Sequence, residues 1–228
     1  TEQFQFHNTV VALGKFDGMH KGHQLIFDEL IQYKQLGYQA AVFSFDRPPL
    51  NMLKHKHMRV IYTTNEKIKL LARRGIDIYI EHPFTDEFSH LSPEDFVIKV
   101  LLEKTGMKVL VVGDDCGFGY KRQGNVELLE RMSKEYDFKL IVIPKLELEG
   151  EIVSSTRIRR LLSEGKVEEA NRLMEDPFMI CGPVVHGNHM GAEVLQMPTA
   201  NQIPLEDKLL PPNGVYVSRI HYKDETHY

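Results

Sequence analysis

Five short apolar runs, separated by stretches with helical spacing, constrain the fold of this 228-residue chain most strongly. Two of them, residues 109–112 and 140–143, contain no polar residue. Continuous runs of this length are typical of strands covered on both faces, as in a parallel sheet. The other three are residues 10–13, 40–45 and 76–80.

The stretches between these runs carry helix signals. After the first run, Ile26, Phe27 and Leu30 fall on one helical face, and Gly37 is a plausible end. Ser92 and Pro93 suit the cap and the first position of another helix. Alternation of strands and helices predicts an α/β fold with a doubly wound parallel sheet and ligands at the carboxyl ends of its strands.

The pattern changes in the last quarter of the chain. Two short helical segments, around residues 156–162 and 167–174, precede a region with six of the eleven prolines, counted from Pro177. Such turn-punctuated, β-branched composition is typical of β structure. We therefore predict a first domain over residues 1–176 and a small β domain over residues 177–228.

Charge and cysteine content narrow the class of protein. The 28 basic and 32 acidic residues give a net charge of -4, which disfavours a strongly basic protein built around nucleic-acid contact. No apolar run approaches the roughly 18 residues of a transmembrane helix. Cys116 and Cys181 fit no metal-type spacing, so we expect reduced thiols in a cytoplasmic protein that binds neither nucleic acid nor membrane. The sequence does not indicate an oligomeric state.

The segment GKFDGMHKGH joins the first run to the first predicted helix. Backbone amides and a helix dipole converge on an anion at such a place. Gly14 and Gly18 would allow a tight turn, and Gly22 would let a phosphate approach. His20 and His23 would share one face and donate to developing phosphate charge. A glycine-rich turn with two surface histidines stays open, and so does zinc, although no third ligand is in sight.

Two further segments carry weaker signals. Ser154, Ser155 and Thr156 precede a predicted helix, where hydroxyls either only cap it or also clamp a polyphosphate together with an arginine. Asp114 and Asp115 stand beside glycines after the fourth run. They would suit a ribose or metal site, or form a plain acidic turn.

Four motifs in order make the chain resemble the bacterial bifunctional riboflavin kinase / FAD synthetase family. They read GKFDGMHKGH, FSFDRPP, GDDCGFGYKRQG and SSTRIR. The part that resembles the FMN adenylyltransferase domain covers about residues 8–176. GPVVHG, MPTAN and PPNGVY then resemble the beginning of the riboflavin kinase domain.

The resemblance implies the reaction of ATP with FMN to give FAD and diphosphate, with Mg²⁺ bridging the phosphates. Riboflavin is a further candidate substrate. The residues implied are His20, His23 and Arg159 for catalysis; Gly14, Phe16, Asp17, Gly22, Ser154, Ser155 and Thr156 for ATP; Phe45, Asp46, Asp114, Asp115 and Gly119 for the flavin or nucleotide; and Thr199 and Asn201 for the metal in the kinase-like part.

The sequence departs from the family pattern in two places on the flavin side. Asp46 is followed by Arg47 and Pro48 where the family usually has Pro-His, and Cys116 replaces an aromatic residue. The later barrel strands and the glutamate expected as the kinase base are absent, so riboflavin kinase activity is not expected of this chain.

Three other functions stay open at this point. The chain could be part of a complete bifunctional enzyme, or a non-catalytic regulator that binds flavin or nucleotide. A related transferase acting on pantetheine phosphate or nicotinate mononucleotide is disfavoured by the MPTAN segment, because that segment belongs with flavin chemistry.

Overall fold

A computed structural model describes residues 5–46, 59–185, 200–222 and 225–227. Its centre is a five-stranded sheet of β1 (Thr9–Leu13), β2 (Gln39–Phe45), β3 (Ile78–His82), β4 (Met107–Gly113) and β5 (Lys139–Ile143). The helices are α1 (Lys21–Gln35), α2 (Thr64–Arg74), α3 (Asp86–Ser89), α4 (Pro93–Asp95) with the π-helical Phe96–Leu102, the 3-10 turn Tyr120–Arg122, α5 (Val126–Glu135), α6 (Ser155–Ser163) and α7 (Val167–Leu173).

The strand order of the central sheet is β3-β2-β1-β4-β5, and every neighbouring pair is parallel. The chain enters at the middle strand β1, builds outward to β3, and then returns to the other side of β1. This reversal puts the topological switch point between the carboxyl ends of β1 and β4. The predicted doubly wound α/β fold is thus confirmed.

The sheet is covered on both faces, which explains its continuous apolar runs. Val10 and Ala12 pack into one core cluster with Phe27 and Leu30 of α1. The alternate residue Val11 packs into the second cluster, on the opposite face, with residues of the π-helical segment and α5. All five residues of β1 are buried. Because strand side chains alternate between faces, the apolar run from Val10 to Leu13 supplies both clusters, and the buried Thr9 hydroxyl donates to the Thr105 carbonyl.

Helix ends follow the capping chemistry in the sequence. Ser92 accepts a hydrogen bond from the Asp95 amide at 3.0 Å, as its position before Pro93 predicts. Helix α2, which the apolar pattern of the sequence did not predict, begins with a full capping box. Thr63 accepts from the Glu66 amide, and Glu66 accepts from the Thr63 amide at 2.8 Å.

The last part of the chain contains three short antiparallel pairs. They are β6 (Glu147–Leu148) with β7 (Glu151–Ile152), β8 (Val184–Val185) with β9 (Asn201–Gln202), and β10 (Ile220–Tyr222) with β11 (Glu225–His227). In the portion that the structure describes these pairs do not close into a barrel, so the barrel stays a prediction. Of the described helices, none combines the length and the apolar character that a membrane crossing requires.

Gly119 allows the loop after β4 to pack closely against the start of α4. Its φ is +68°, and an added Cβ would lie 2.7 Å from the Pro93 Cα. Gly37 also has a positive φ, +94°, but an added Cβ there would meet nothing within 4 Å. Gly119 in addition has a ψ of −173°, a combination essentially restricted to glycine, so the two glycines differ in backbone conformation as well as in packing.

We expect Gly37→Ala to lower the free energy of unfolding by about 1–2 kcal/mol, the cost of a left-handed residue with a Cβ. Gly119→Ala should cost about 1–3 kcal/mol more, because backbone atoms of Pro93 must move. Urea unfolding of the two variants measures the difference. Equal losses would show that the loop yields freely at Gly119.

Candidate active site

The loop between β1 and α1 has an unusual backbone. Phe16, Gly18 and Met19 have φ values of +48°, +83° and +36°. Left-handed conformations are uncommon for residues other than glycine, and they cluster at functional sites. The tight turn predicted at Gly18 is present, and the loop leaves the sheet beside the switch point.

Gly14 and Gly22 each lie against an aromatic side chain of the same loop. Gly14 is at a bend and is not left-handed, and a Cβ there would lie 2.9 Å from the Phe16 ring. A Cβ on Gly22 would lie 3.1 Å from His20 Nδ1. Both glycines are therefore required by close ring contacts, and their roles in ATP binding stay predictions.

His20 and His23 form a stacked pair at the start of α1. Their ring centroids are 3.6 Å apart and the rings are inclined by 18°. His20 is the N-cap of α1, and its Nδ1 accepts a hydrogen bond from the His23 amide at 3.3 Å. Because Nδ1 is the acceptor, the proton of a neutral His20 ring is on Nε2. His20 Nε2 is therefore a hydrogen-bond donor.

Both imidazoles are neutral at physiological pH. Burial lowers the pKa of His20 to about 4, against small opposing effects of a backbone hydrogen bond and Asp115. Burial, and then the neighbouring His20, lower the pKa of His23 well below its usual range. Among the described residues, the buried His23 Nδ1 has no hydrogen-bond partner. An unsatisfied buried nitrogen of this kind often marks a catalytic position.

Phe16 supports the histidines from inside the core. Its ring is 2% exposed and meets His23 edge-on at 5.2 Å and Phe27 at 5.1 Å. The side chain of Phe16 is therefore part of the packing beneath the loop.

Asp17 and Arg159 form a half-buried ion pair across the site. The pair joins the loop after β1 to α6, with side-chain exposures of 18% and 19%. Asp17 Oδ1 also accepts from the amides of Ile61 and Tyr62 at 3.0 and 3.2 Å. Arg159 also donates to the Arg59 carbonyl. Much of the charge on Arg159 is thus compensated by Asp17.

The three hydroxyl residues at the start of α6 have different surroundings. Ser154 caps the helix by accepting from the Arg157 amide at 3.2 Å. Ser155 donates to the carbonyl oxygen of Asp17. Thr156 is exposed and lines a groove of ≈ 500 Å³ with Ser154, Arg157 and neighbouring residues. Of the three, Ser155 is tied directly to the loop that carries the histidines.

Two basic residues near the switch point, Lys15 and Arg122, were not among the residues predicted from the sequence. An added Cβ on Gly117 would lie 2.7 Å from Arg122 Nε, so the guanidinium occupies the space that glycine leaves open. Burial lowers the pKa of Lys15, followed by the charge of Arg122. Lys121 and Arg122 have left-handed φ values of +51° and +59°. The signal in the sequence was a basic residue in the loop after each of two central strands, Lys15 after β1 and Arg122 after β4.

Aromatic side chains fill the predicted flavin side of the sheet. Phe45 has Phe43, Phe84 and Phe88 within 5.6 Å between ring centroids. Asp46 Oδ1 accepts from the Phe84 amide at 2.9 Å, which holds that ring against Phe45. Arg47 and Pro48, where the sequence departs from the family, lie outside the described residues.

Asp114 and Asp115 both engage Lys145, which follows β5. Asp114 Oδ2 accepts from the Lys145 amide at 3.2 Å, and Asp115 pairs with Lys145 Nζ at 3.2 Å. Burial, and then Asp115, raise the pKa of the Cys116 thiol to about 11. The thiol is therefore protonated at neutral pH and is not a nucleophile.

The described residues leave the predicted magnesium ion a prediction, because Mg²⁺ commonly takes only one or two protein carboxylates and its other ligands are substrate phosphates and water. Among them, no three His, Cys, Asp or Glu side chains converge as metal ligands. Asn201 is exposed in β9, and Thr199 lies outside the described residues.

Comparisons with known proteins agree with this geometry. A family model described as FAD synthetase matches residues 2–157, and one described as riboflavin kinase matches residues 174–228. A bifunctional riboflavin kinase/FMN adenylyltransferase of Buchnera aphidicola (from Schizaphis graminum) is 39% identical over 93% of this chain and 69% of its own length. The Listeria monocytogenes protein of the same name is 36% identical over 100% of this chain and 72% of its own.

A solved structure shares the fold. The crystal structure titled a macrolide-efflux protein from Streptococcus pneumoniae matches with a TM-score of 0.84 and 31% identity, over 96% of this chain and 72% of that chain. The efflux title is a statement about that protein. The strand-end loops, the two family models and the curated relatives together show that the chain belongs to the bifunctional riboflavin kinase/FMN adenylyltransferase family and acts as an FMN adenylyltransferase.

Proposed function

We propose that the stacked His20–His23 pair is where the adenylyl group passes from ATP to FMN. An oxygen of the FMN phosphate attacks the α-phosphorus of ATP. The new O–P bond forms as the bond from the α-phosphorus to the bridging oxygen breaks, and the products are FAD and diphosphate. The observation that carries this proposal is a neutral donor pair at a helix N-terminus beside the switch point.

The reaction needs no general base. The second pKa of a phosphate monoester is about 6, so the FMN phosphate is mostly ionised at neutral pH. Catalysis then consists of alignment and stabilisation of charge on the phosphoryl oxygens. The N–H at His20 Nε2 would donate a hydrogen bond to the phosphate while the ring stays neutral, because burial lowers the pKa of this imidazole. His23 acts as the second donor.

The remaining phosphate contacts come from basic side chains around the loop. Arg159 has five N–H donors, of which the bonds to Asp17 and Arg59 use only some. Lys15 and Arg122 add positive charge from the ends of β1 and β4. We propose that these three hold the triphosphate, and that Ser155 keeps the loop in place. The aromatic cluster around Phe45 would border the isoalloxazine, and Asp46, Asp114 and Asp115 would brace that side.

Magnesium enters this proposal with the nucleotide as Mg-ATP, a substrate species. Mg²⁺ is commonly held by substrate phosphates and water with one or two carboxylates. The protein would act in the cytoplasm on small molecules, with riboflavin conversion as a separate question for the kinase-like part. Incubation with ATP, Mg²⁺ and FMN, followed by chromatography, tests the proposal. Release of FAD supports it, whereas bound FMN without product supports a regulator.

We expect His23→Ala to lower kcat for FAD formation about 10²–10³-fold, the typical effect of losing a transition-state donor. The dissociation constant of FMN should change much less, because the imidazole interacts with the reacting phosphate of ATP. Steady-state kinetics and flavin fluorescence measure the two quantities. His90→Ala, on the exposed end of α3, is the matched control. An unchanged kcat in His23→Ala would remove this residue from the mechanism.

Lys15→Met and Arg122→Met should each raise the KM for ATP about 10-fold or more, since a charge-assisted hydrogen bond contributes about 1.5–3 kcal/mol. Arg131→Met is the control, because this exposed arginine pairs with Glu94 away from the loop. Initial rates at varied ATP give the three KM values. Equal values in all variants would exclude the two side chains from phosphate binding.

The histidine pair also predicts how stability depends on pH. The folded-state pKa values of both histidines lie below the unfolded value of about 6.5. Between about pH 6.5 and 4 the unfolded chain therefore binds protons that the native state does not. The free energy of unfolding should therefore decrease as the pH is lowered through this window, by up to about 1.4 kcal/mol per pH unit for each histidine.

Urea unfolding at pH 7 and pH 5 measures this loss. The double variant His20→Gln/His23→Gln should lose less free energy than the wild type between the two pH values, because its side chains do not titrate. Carboxylates contribute equally to both proteins and cancel in the difference. A loss in the double variant as large as in the wild type would mean that the histidines are not held neutral.

A further inference from the structure

We infer that Lys208, in the segment matched by the riboflavin kinase model, is a positioning residue of the adenylyl-transfer site. The inference rests on the proposed function, because it concerns the ion pair of Asp17 and Arg159. It extends that function by making a side chain from outside the FAD synthetase match part of the support of the site.

Lys208 is buried in a place built for an ammonium group. The side chains of Lys208 and Glu66 are both 0% exposed, and Lys208 Nζ lies 2.6 Å from Glu66 Oε2. Nζ also donates to the Ile61 carbonyl at 2.5 Å and lies 5.0 and 4.6 Å from the ring centroids of Tyr62 and Phe178. A buried charge is tolerated only when it is paired and hydrogen-bonded, and this one is both.

Glu66 joins the same ammonium to two other parts of the chain. Its Oε2 also accepts from the Thr63 amide at 2.8 Å, within the capping box of α2. Its Oε1 accepts from the Cys181 amide at 2.7 Å. The pair therefore fastens the kinase-matched segment to the FAD synthetase part at two points, Lys208 and Cys181.

The link from Lys208 to the active site runs through residues 59–63, which we call the bridging segment. Its backbone pairs with the chain around Lys208: Val60 donates to the Asp207 carbonyl at 2.7 Å, and Leu209 donates to the Val60 carbonyl at 2.7 Å. On the other side, the amides of Ile61 and Tyr62 donate to Asp17 Oδ1.

Residue Ile61 thus contacts Lys208 through its carbonyl and Asp17 through its amide. Arg59, at the start of the bridging segment, holds Arg159 through its carbonyl. With the Tyr62 amide, three hydrogen bonds therefore connect the bridging segment to the ion pair of the active site. Removing the ammonium would free the Ile61 carbonyl and leave Glu66 buried without its counter-charge.

A small displacement of the ion pair would reduce the rate more than substrate binding. Alignment in phosphoryl transfer is so demanding that a shift of about 1 Å can cost about 10²-fold in rate. ATP and FMN would keep their other contacts, including the flavin side around Phe45. Loss of Lys208 should therefore act on kcat rather than on KM.

The test compares Lys208→Met with Leu129→Ala in the full chain. Leu129 is fully buried in the core cluster that also contains Val11, so its truncation lowers stability without contact to the bridging segment. Both variants are assayed for FAD formation below their unfolding transitions. We expect kcat to fall about 10-fold or more in Lys208→Met, with KM values within about threefold, and to stay near wild type in Leu129→Ala.

Amide hydrogen exchange provides a readout that needs no turnover. The amides of Ile61 and Tyr62 should exchange faster in Lys208→Met than in Leu129→Ala, because only the first variant loosens the bridging segment. Unchanged kcat in Lys208→Met, an equal fall of kcat in both variants, or unchanged protection of the two amides would each overturn the inference. If the wild-type chain forms no FAD while the amides lose protection, the proposed function fails and the mechanical link stands.

Discussion

The ion pair of Asp17 and Arg159 is the interaction on which the candidate site depends. One carboxylate accepts from the α6 arginine and from two amides of the bridging segment, while the carbonyl of the same residue accepts from Ser155. These bonds tie the loop after β1 to two elements distant in sequence. Without them the left-handed backbone at Phe16, Gly18 and Met19 would have little to hold it. The strained loop and the ion pair therefore support each other.

The neutrality of the histidines follows from the same arrangement. Phe16 turns inward beneath His23, and Gly22 lets the ring of His20 lie close to the helix. Both effects bury the imidazoles, and burial lowers their pKa values. A positively charged pair would bind the triphosphate in the ground state as well as in the transition state. In the mechanism proposed above, a neutral imidazole pair at a helix N-terminus would align the reacting phosphate, while Lys15, Arg122 and Arg159 would supply the charge that binds the triphosphate.

The fold was largely predictable because the apolar pattern of each strand indicates which of its faces are buried. The runs 109–112 and 140–143 are apolar on both faces, and such runs are typical of strands in a sheet that is covered on both sides. The position of the two histidines at a strand–helix junction was also predictable. The close ring contacts of Gly14 and Gly22 were not predictable, because a ring that folds back over a glycine leaves no local pattern in the sequence. Helix α2 left a capping-box signal, Thr63 and Glu66, but its weak apolar content hid it.

Lys208 shows most clearly which contacts cannot be predicted from the pattern of the sequence. A lysine among acidic and apolar residues near a run of prolines has the pattern of a solvated loop, since lysine is rarely buried. Its partner Glu66 is 142 positions away, and the aromatic rings that flank it come from two further segments. No period or spacing connects these residues. An unpaired carboxylate at Glu66, which is 0% exposed, would strongly destabilise the fold. The FAD synthetase part therefore needs a cation from another part of the chain. The capping box of α2 and the kinase-matched segment are thus parts of one electrostatic unit, with the candidate site at its edge.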